Sequence, residues 1–153
     1  MKVTRIASSE NLNPGKLSAL EDQAQRLGTI RSEVWQRYGS IHGVEQTDRQ
    51  IRDAWLKTGR TFSVLANAWK ETLRDAKANI VMTLEAAKVK TRRAIARHAS
   101  DHQKRQDLYS KLKSNQFTHH RYLARVLRKY WHRGHHHTYN QIIVRSDNDT
   151  TFQ

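Results

Sequence analysis

Arg121, Arg125, Arg128, Lys129 and His132 fall within an arc of about 100° when residues are placed 100° apart around a helix. The opposite arc holds Tyr122, Val126, Leu127 and Tyr130. Upstream, Lys90, Arg93 and Arg97 point away from a second apolar stripe, and Lys88 and Arg92 flank that stripe. Neither stretch offers compensating acids. Like charges three or four residues apart on a helix repel one another, so such rows are expected to lie against something anionic. A phosphate backbone rewards dense Lys and Arg by releasing its condensed counterions. The ten candidates for phosphate contact are therefore Lys88, Lys90, Arg92, Arg93, Arg97, Arg121, Arg125, Arg128, Lys129 and Arg133. The competing reading is a solvated basic face of an ordinary surface.

The charge balance sharpens this. The 153 residues carry 28 Lys and Arg against 14 Asp and Glu, a net charge of +14, with a pI near 10.5. Residues 88–145 hold 15 of the cations and 2 of the acids, and eight of the nine histidines lie between His98 and His137. An imbalance this local points to a polyanionic partner. There is no cysteine, hence no disulfide framework and no thiolate chemistry. The mean hydropathy of -0.88 and the lack of a long apolar run argue against a membrane span. The start, MKVTRIASSENLNPGK, turns polar too soon for a secretory leader, so a cytoplasmic protein without membrane partners is expected.

Other chemistries find little support. His132 and His135 to His137 are close in sequence and His98 and His102 are four apart, but no Cys assists and consecutive histidines cannot all face one ion, so no metal site is expected. No glycine-rich phosphate loop or nucleophile elbow is present, and Glu71, Asp75 and Glu85 are read as a solvated face. The chain is expected to catalyse nothing and to need no cofactor. Trp35, Trp55 and Trp69, at helical spacing among Leu and Val, are expected in the core, whereas Trp131 and Tyr139 stay open between packing and base stacking.

The elements that must carry these side chains are mostly helices. Asn13 and Pro14 open a helix with apolar positions at Leu17, Leu20, Ala24, Leu27, Val34, Trp35 and Tyr38, ended by Gly39. Thr47 caps a shorter helix with Ile51, Trp55 and Leu56, ended by Gly59. From Phe62 to His98 the apolar spacing predicts one helix about 55 Å long. Ser100 or Asp101 caps a fourth with Leu108 and Leu112 inward, and Thr118 caps a fifth that runs to Gly134. KVTRIA at the start and NQIIVR near the end read as strands, with SDND a turn and TTFQ the first half of a returning strand. The expected fold class is therefore mainly α, a helical bundle with one long helix inserted between short terminal β-strands. Its parts are a β segment over 1–12, a helical region over 13–134, and a loop with a β hairpin over 135–153. A hairpin this short needs further strands, so the whole is read as a piece of a larger fold. Pairing of the two terminal strands within a complete helical protein is the alternative.

The strings LANAWKETLRDA, EAAKVKTRRAI and YLARVLRKYWHRGHHHTYNQIIVR, with KVTRIA at the start, resemble the N-terminal part of the TnpB family, transposon-encoded relatives of type V CRISPR effectors. The order of strand, long helical insertion and returning strand is similar to that family's wedge domain interrupted by its recognition domain, an incomplete wedge-type β-barrel. The resemblance implies an RNA-guided DNA-binding scaffold. Guide RNA and target DNA would be its partners, and the RuvC nuclease part, which follows downstream in that family, lies outside these residues, so the chain is read as a truncated copy or as one half of a split protein whose nuclease is a separate chain. An A-form heteroduplex is read by shape and backbone, which calls for cations on rigid helices. The alternatives are a stand-alone basic protein that binds nucleic acid non-specifically and an interaction module for an acidic protein.

Overall fold

The computed structural model describes residues 10–132 and 140–143. Five α-helices occur among them: α1 (Pro14–Tyr38), α2 (Asp48–Lys57), α3 (Ala66–His98), α4 (His102–Lys113) and α5 (Arg121–Tyr130), with a 3-10 turn at Gln116–His119. The mainly helical expectation holds. No strand occurs among the described residues: 140–143 run without regular structure, and KVTRIA and the rest of the predicted hairpin lie outside them.

Local chemistry explains the helix ends. Asn13 Oδ1 accepts from the Gly15 N–H at 2.8 Å, Pro14 occupies the first turn, and the Gly39 N–H closes α1 on the Trp35 carbonyl. At α2 the Thr47 hydroxyl accepts from the Gln50 N–H while the Gln50 side chain accepts from the Thr47 N–H, a reciprocal capping box. Asp101, rather than Ser100, caps α4 by accepting from the Gln103 N–H.

Three boundaries differ from expectation. The long helix starts at Ala66, not Phe62, because Phe62 is used as a lid: its ring stacks on Trp69 at 4.2 Å and tilts against Trp55, with the Arg60 guanidinium 4.2 Å from the Trp55 ring. Arg26 donates to the Ser63 carbonyl and holds that approach non-helical. The remaining 33 residues still span about 50 Å. At α5 the cap is His120, whose Nδ1 accepts from the Leu123 N–H, since Thr118 is taken up in the 3-10 turn that buries Phe117. The same helix ends at Tyr130, four residues early, as Trp131 turns extended and donates its indole N–H to the Gly39 carbonyl at 3.1 Å.

The core is continuous and centred on α3. Leu27, Ile30, Val34 and Trp35 of α1 meet Leu73, Ala76, Ile80 and Leu84, and the C-terminal half of α3 packs on Leu108, Leu112, Phe117, Leu123 and Leu127. All three core tryptophans are buried as expected. The Arg26–Ser63 and Arg31–Asp75 contacts show α1 and α3 running in the same sense, and α2 packs on α3. The first turns of α1 do not join this core: Leu17 and Leu20 are exposed among the described residues, contrary to the periodicity. The returning 140–143 segment does join it, with Ile142 against the core and Asn140 where a Cβ on the buried Gly28 would collide with its side-chain amide. That close approach accounts for a glycine inside a helix, where it costs about 1 kcal/mol relative to Ala.

Acids and bases of the N-terminal half largely neutralise each other. Arg60 grips Glu33 with both terminal nitrogens, Arg31 reaches Asp75, and Arg74 lies by Glu71 and Asp48. Asp75 and Glu71 are thus structural partners, not the solvated face expected of them. Buried Lys77 donates to the Val44 carbonyl and ties the 39–47 loop to α3; its burial pushes the ammonium pKa down, against the pull of Asp48. The hydrogen bond from Arg60 holds the Glu33 carboxyl below its ordinary value, burial opposes this, and the charges of Arg60 and Arg37 reinforce it. A carboxyl lowered in the folded state stabilises above its unfolded pKa and loses that contribution as pH falls through the folded value. Glu33→Gln should therefore cost about 1 kcal/mol at neutral pH. The gap to the parent in urea midpoint should close on acidification through and below the ordinary carboxylate range. A gap independent of pH would show that shape, not charge, matters at this position.

Candidate nucleic-acid interface

Helix α5 presents its charge because its apolar residues are spent elsewhere. Leu123, Ala124, Val126 and Leu127 are buried, which leaves Arg121, Arg125, Arg128 and Lys129 exposed on the opposite side. The periodicity thus places these four where expected, whereas His132 is exposed but lies past the end of α5, beside a cavity lined by Lys90 and Tyr130. Helix α5 runs back antiparallel along α3: Tyr122 at its start stacks on His98 with ring centroids 4.1 Å apart, and Tyr130 at its end shares a cavity with Asn79, Met82 and Lys90.

This fixes which α3 cations join α5. Lys90 lines the shared cavity, and Arg97 acts electrostatically on Tyr122 together with Arg125. Arg93, three residues from Lys90 and four from Arg97, lies between them on the same exposed flank. Burial pushes the Tyr122 phenol pKa up, Arg125 and Arg97 pull it down, and Tyr130 pushes it further up. Lys90, Arg93, Arg97, Arg125 and Lys129 therefore border one double-helix surface, with the Tyr122–His98 stack at one end and Arg121 exposed at the start of the same helix.

The remaining candidates separate from it. Lys88 is not without compensation: it pairs with Glu85 at 2.9 Å and is largely covered. Arg92 is exposed but stands 200° from Lys90 around the helix, on the other flank of α3. Arg128 leans the opposite way from Lys129, its guanidinium 2.9 Å from His42 Nε2 in the loop after α1. Accepting that N–H requires the neutral ring with its proton on Nδ1. Arg133 lies outside the described residues.

One contrast gives this surface its meaning. Among the described residues no carboxylate lies within ion-pair distance of Lys90, Arg93, Arg97, Arg121, Arg125, Arg128 or Lys129, whereas Arg26, Arg31, Arg37, Arg60 and Arg74 all have one. The chain matches no protein-family model, no curated protein and no solved structure.

His98, His42 and the cavity were not picked out as binding elements from the sequence. Tyr122 offered a partial signal, since it lies at the edge of the apolar arc, next to Lys129 and Arg125. No local signal brings His42 to Arg128, because the contact depends on how the loop after α1 packs. Trp131 now has a defined place, half-buried with its N–H committed to Gly39. Among the described residues no three His, Asp or Glu side chains group to hold a metal ion, and no helix is long and apolar enough to cross a membrane.

Proposed function

We propose that the chain binds nucleic acid by its phosphate backbone along the α3–α5 surface, as the scaffold part of a TnpB-like RNA-guided DNA-targeting system. The observation that supports this reading is the row of cations on two antiparallel helices with no carboxylate partners, in a chain whose other arginines mostly have one. Charges held at fixed spacing on rigid helices suit a polyanion whose own charges are regularly spaced. Guide RNA and the RNA–DNA heteroduplex are the ligands that the TnpB resemblance adds. The terminal segments would form the wedge-type strands, and the nuclease part would lie outside these residues.

The test is binding of the full chain, by fluorescence anisotropy across a salt series, to an RNA–DNA hybrid, a structured RNA and random duplex DNA of equal length. Hybrid and structured RNA should bind more tightly than duplex DNA, with affinity falling linearly in log salt. Equal affinity for all three would select a non-specific nucleic-acid binder. No binding at low salt would select an interaction module for an acidic protein.

A further inference from the structure

Between α3 and α5 lies a cavity of about 260 Å³ open to solvent, walled by Met82, Ala86 and Tyr130, with Asn79 and Thr83 as polar lining and Lys90 and His132 beside them. We propose that this cavity receives one unstacked nucleobase of a bound RNA, so that the surface recognises an unpaired nucleotide as well as a backbone. This rests on the nucleic-acid reading above and deepens it.

Size, wall chemistry and surrounding charge all suit a single base. Cavities that enclose drug-sized ligands run to about 300–1,000 Å³, so this one suits a single flat ring system. Tyr130 is half-buried and presents an aromatic wall, and Met82, 63 % exposed, supplies a polarisable thioether that packs well against π systems. Such an exposed methionine is otherwise unexplained by the core. Asn79 Nδ2 donates to Asp75 at 3.2 Å and the Asn79 main-chain carbonyl accepts from the Thr83 hydroxyl, which leaves the side-chain Oδ1 of Asn79 as an acceptor without a protein donor among the described residues. Lys90 at the cavity and Lys129, whose ammonium is 5.9 Å from the Tyr130 ring centroid, are placed to meet the phosphates on either side of an extruded nucleotide. A paired helix cannot fill the cavity, because its bases are held in the stack.

The experiment compares two RNA hairpins with the same stem, one carrying a single bulged nucleotide, against the full chain. The bulged hairpin should bind about tenfold more tightly, the scale of one base stacked on an aromatic side chain. Tyr130→Ala and, as a second variant at an exposed site, the cavity-filling Ala86→Leu should each abolish that preference while leaving the plain hairpin within about twofold, and Tyr130→Phe should keep it. Equal affinity for the two hairpins, or a preference that survives both substitutions, overturns the nucleobase site and leaves backbone binding standing. Failure to bind either hairpin overturns both.

Discussion

Asp75→Ala should lower the unfolding free energy by about 3 kcal/mol, the largest loss expected from any single polar substitution in this chain. The reason is its partner. The Arg31 side chain is 1 % exposed, its Nη1 donates to Asp75 Oδ2 at 2.5 Å, and its Nη2 is buried with no hydrogen-bond partner among the described residues. Removing the carboxylate strands a buried cation that already lacks full solvation, and breaking a buried pair from one side costs about 3–5 kcal/mol. The lower end applies because Asp75 is about a third exposed and water can enter. Removing both charges should restore most of the loss, so Arg31→Met/Asp75→Ala should unfold at a higher urea concentration than Asp75→Ala alone. Midpoints followed by far-ultraviolet circular dichroism decide it. A single variant that loses less than about 1 kcal/mol would show that the pair is not what holds α1 to α3.

The second large effect concerns binding. The triple variant Arg121→Ala/Arg125→Ala/Lys129→Ala should weaken hybrid binding about a hundredfold near physiological salt and lower the salt slope by roughly 2–3, since each lost phosphate contact removes about 0.7–0.9 from it. These side chains are exposed and without carboxylate partners, so stability should stay within about 0.5 kcal/mol of the parent. The matched control removes three exposed cations elsewhere, Lys16, Arg49 and Lys57, for the same change in net charge. If both triples weaken binding equally, overall charge and not the α3–α5 surface is responsible.

The parts legible in the sequence were those set by local rules. Helix α1 was announced by Asn13 and Pro14, α2 by Thr47, and the outward face of α5 by period alone, because capping and amphipathicity are short-range. What was not legible depended on distant packing. Phe62 has helical spacing to Leu65 and Trp69, yet the Trp55–Trp69 cluster captures its ring and delays α3. Phe117 draws Thr118 into a 3-10 turn and hands the cap to His120. The ten candidate cations divided for a similar reason. Period separates Lys90, Arg93 and Arg97, pointing away from the apolar stripe, from Lys88 and Arg92 at its flanks, but it cannot say which flank of α3 will receive α5 or that Lys88 will pair with Glu85.

Gly28 links the two ends of the described fold. In an isolated α1 an alanine at this position would be the better helix former by about 1 kcal/mol. In the folded chain that methyl would compete with the Asn140 amide for the same space. The same substitution should therefore change sign with chain length, helping a version cut before Asn140 and gaining little or losing in the full one. The notch at Gly28 thus ties the sequence of the first helix to the seating of residues more than a hundred positions later.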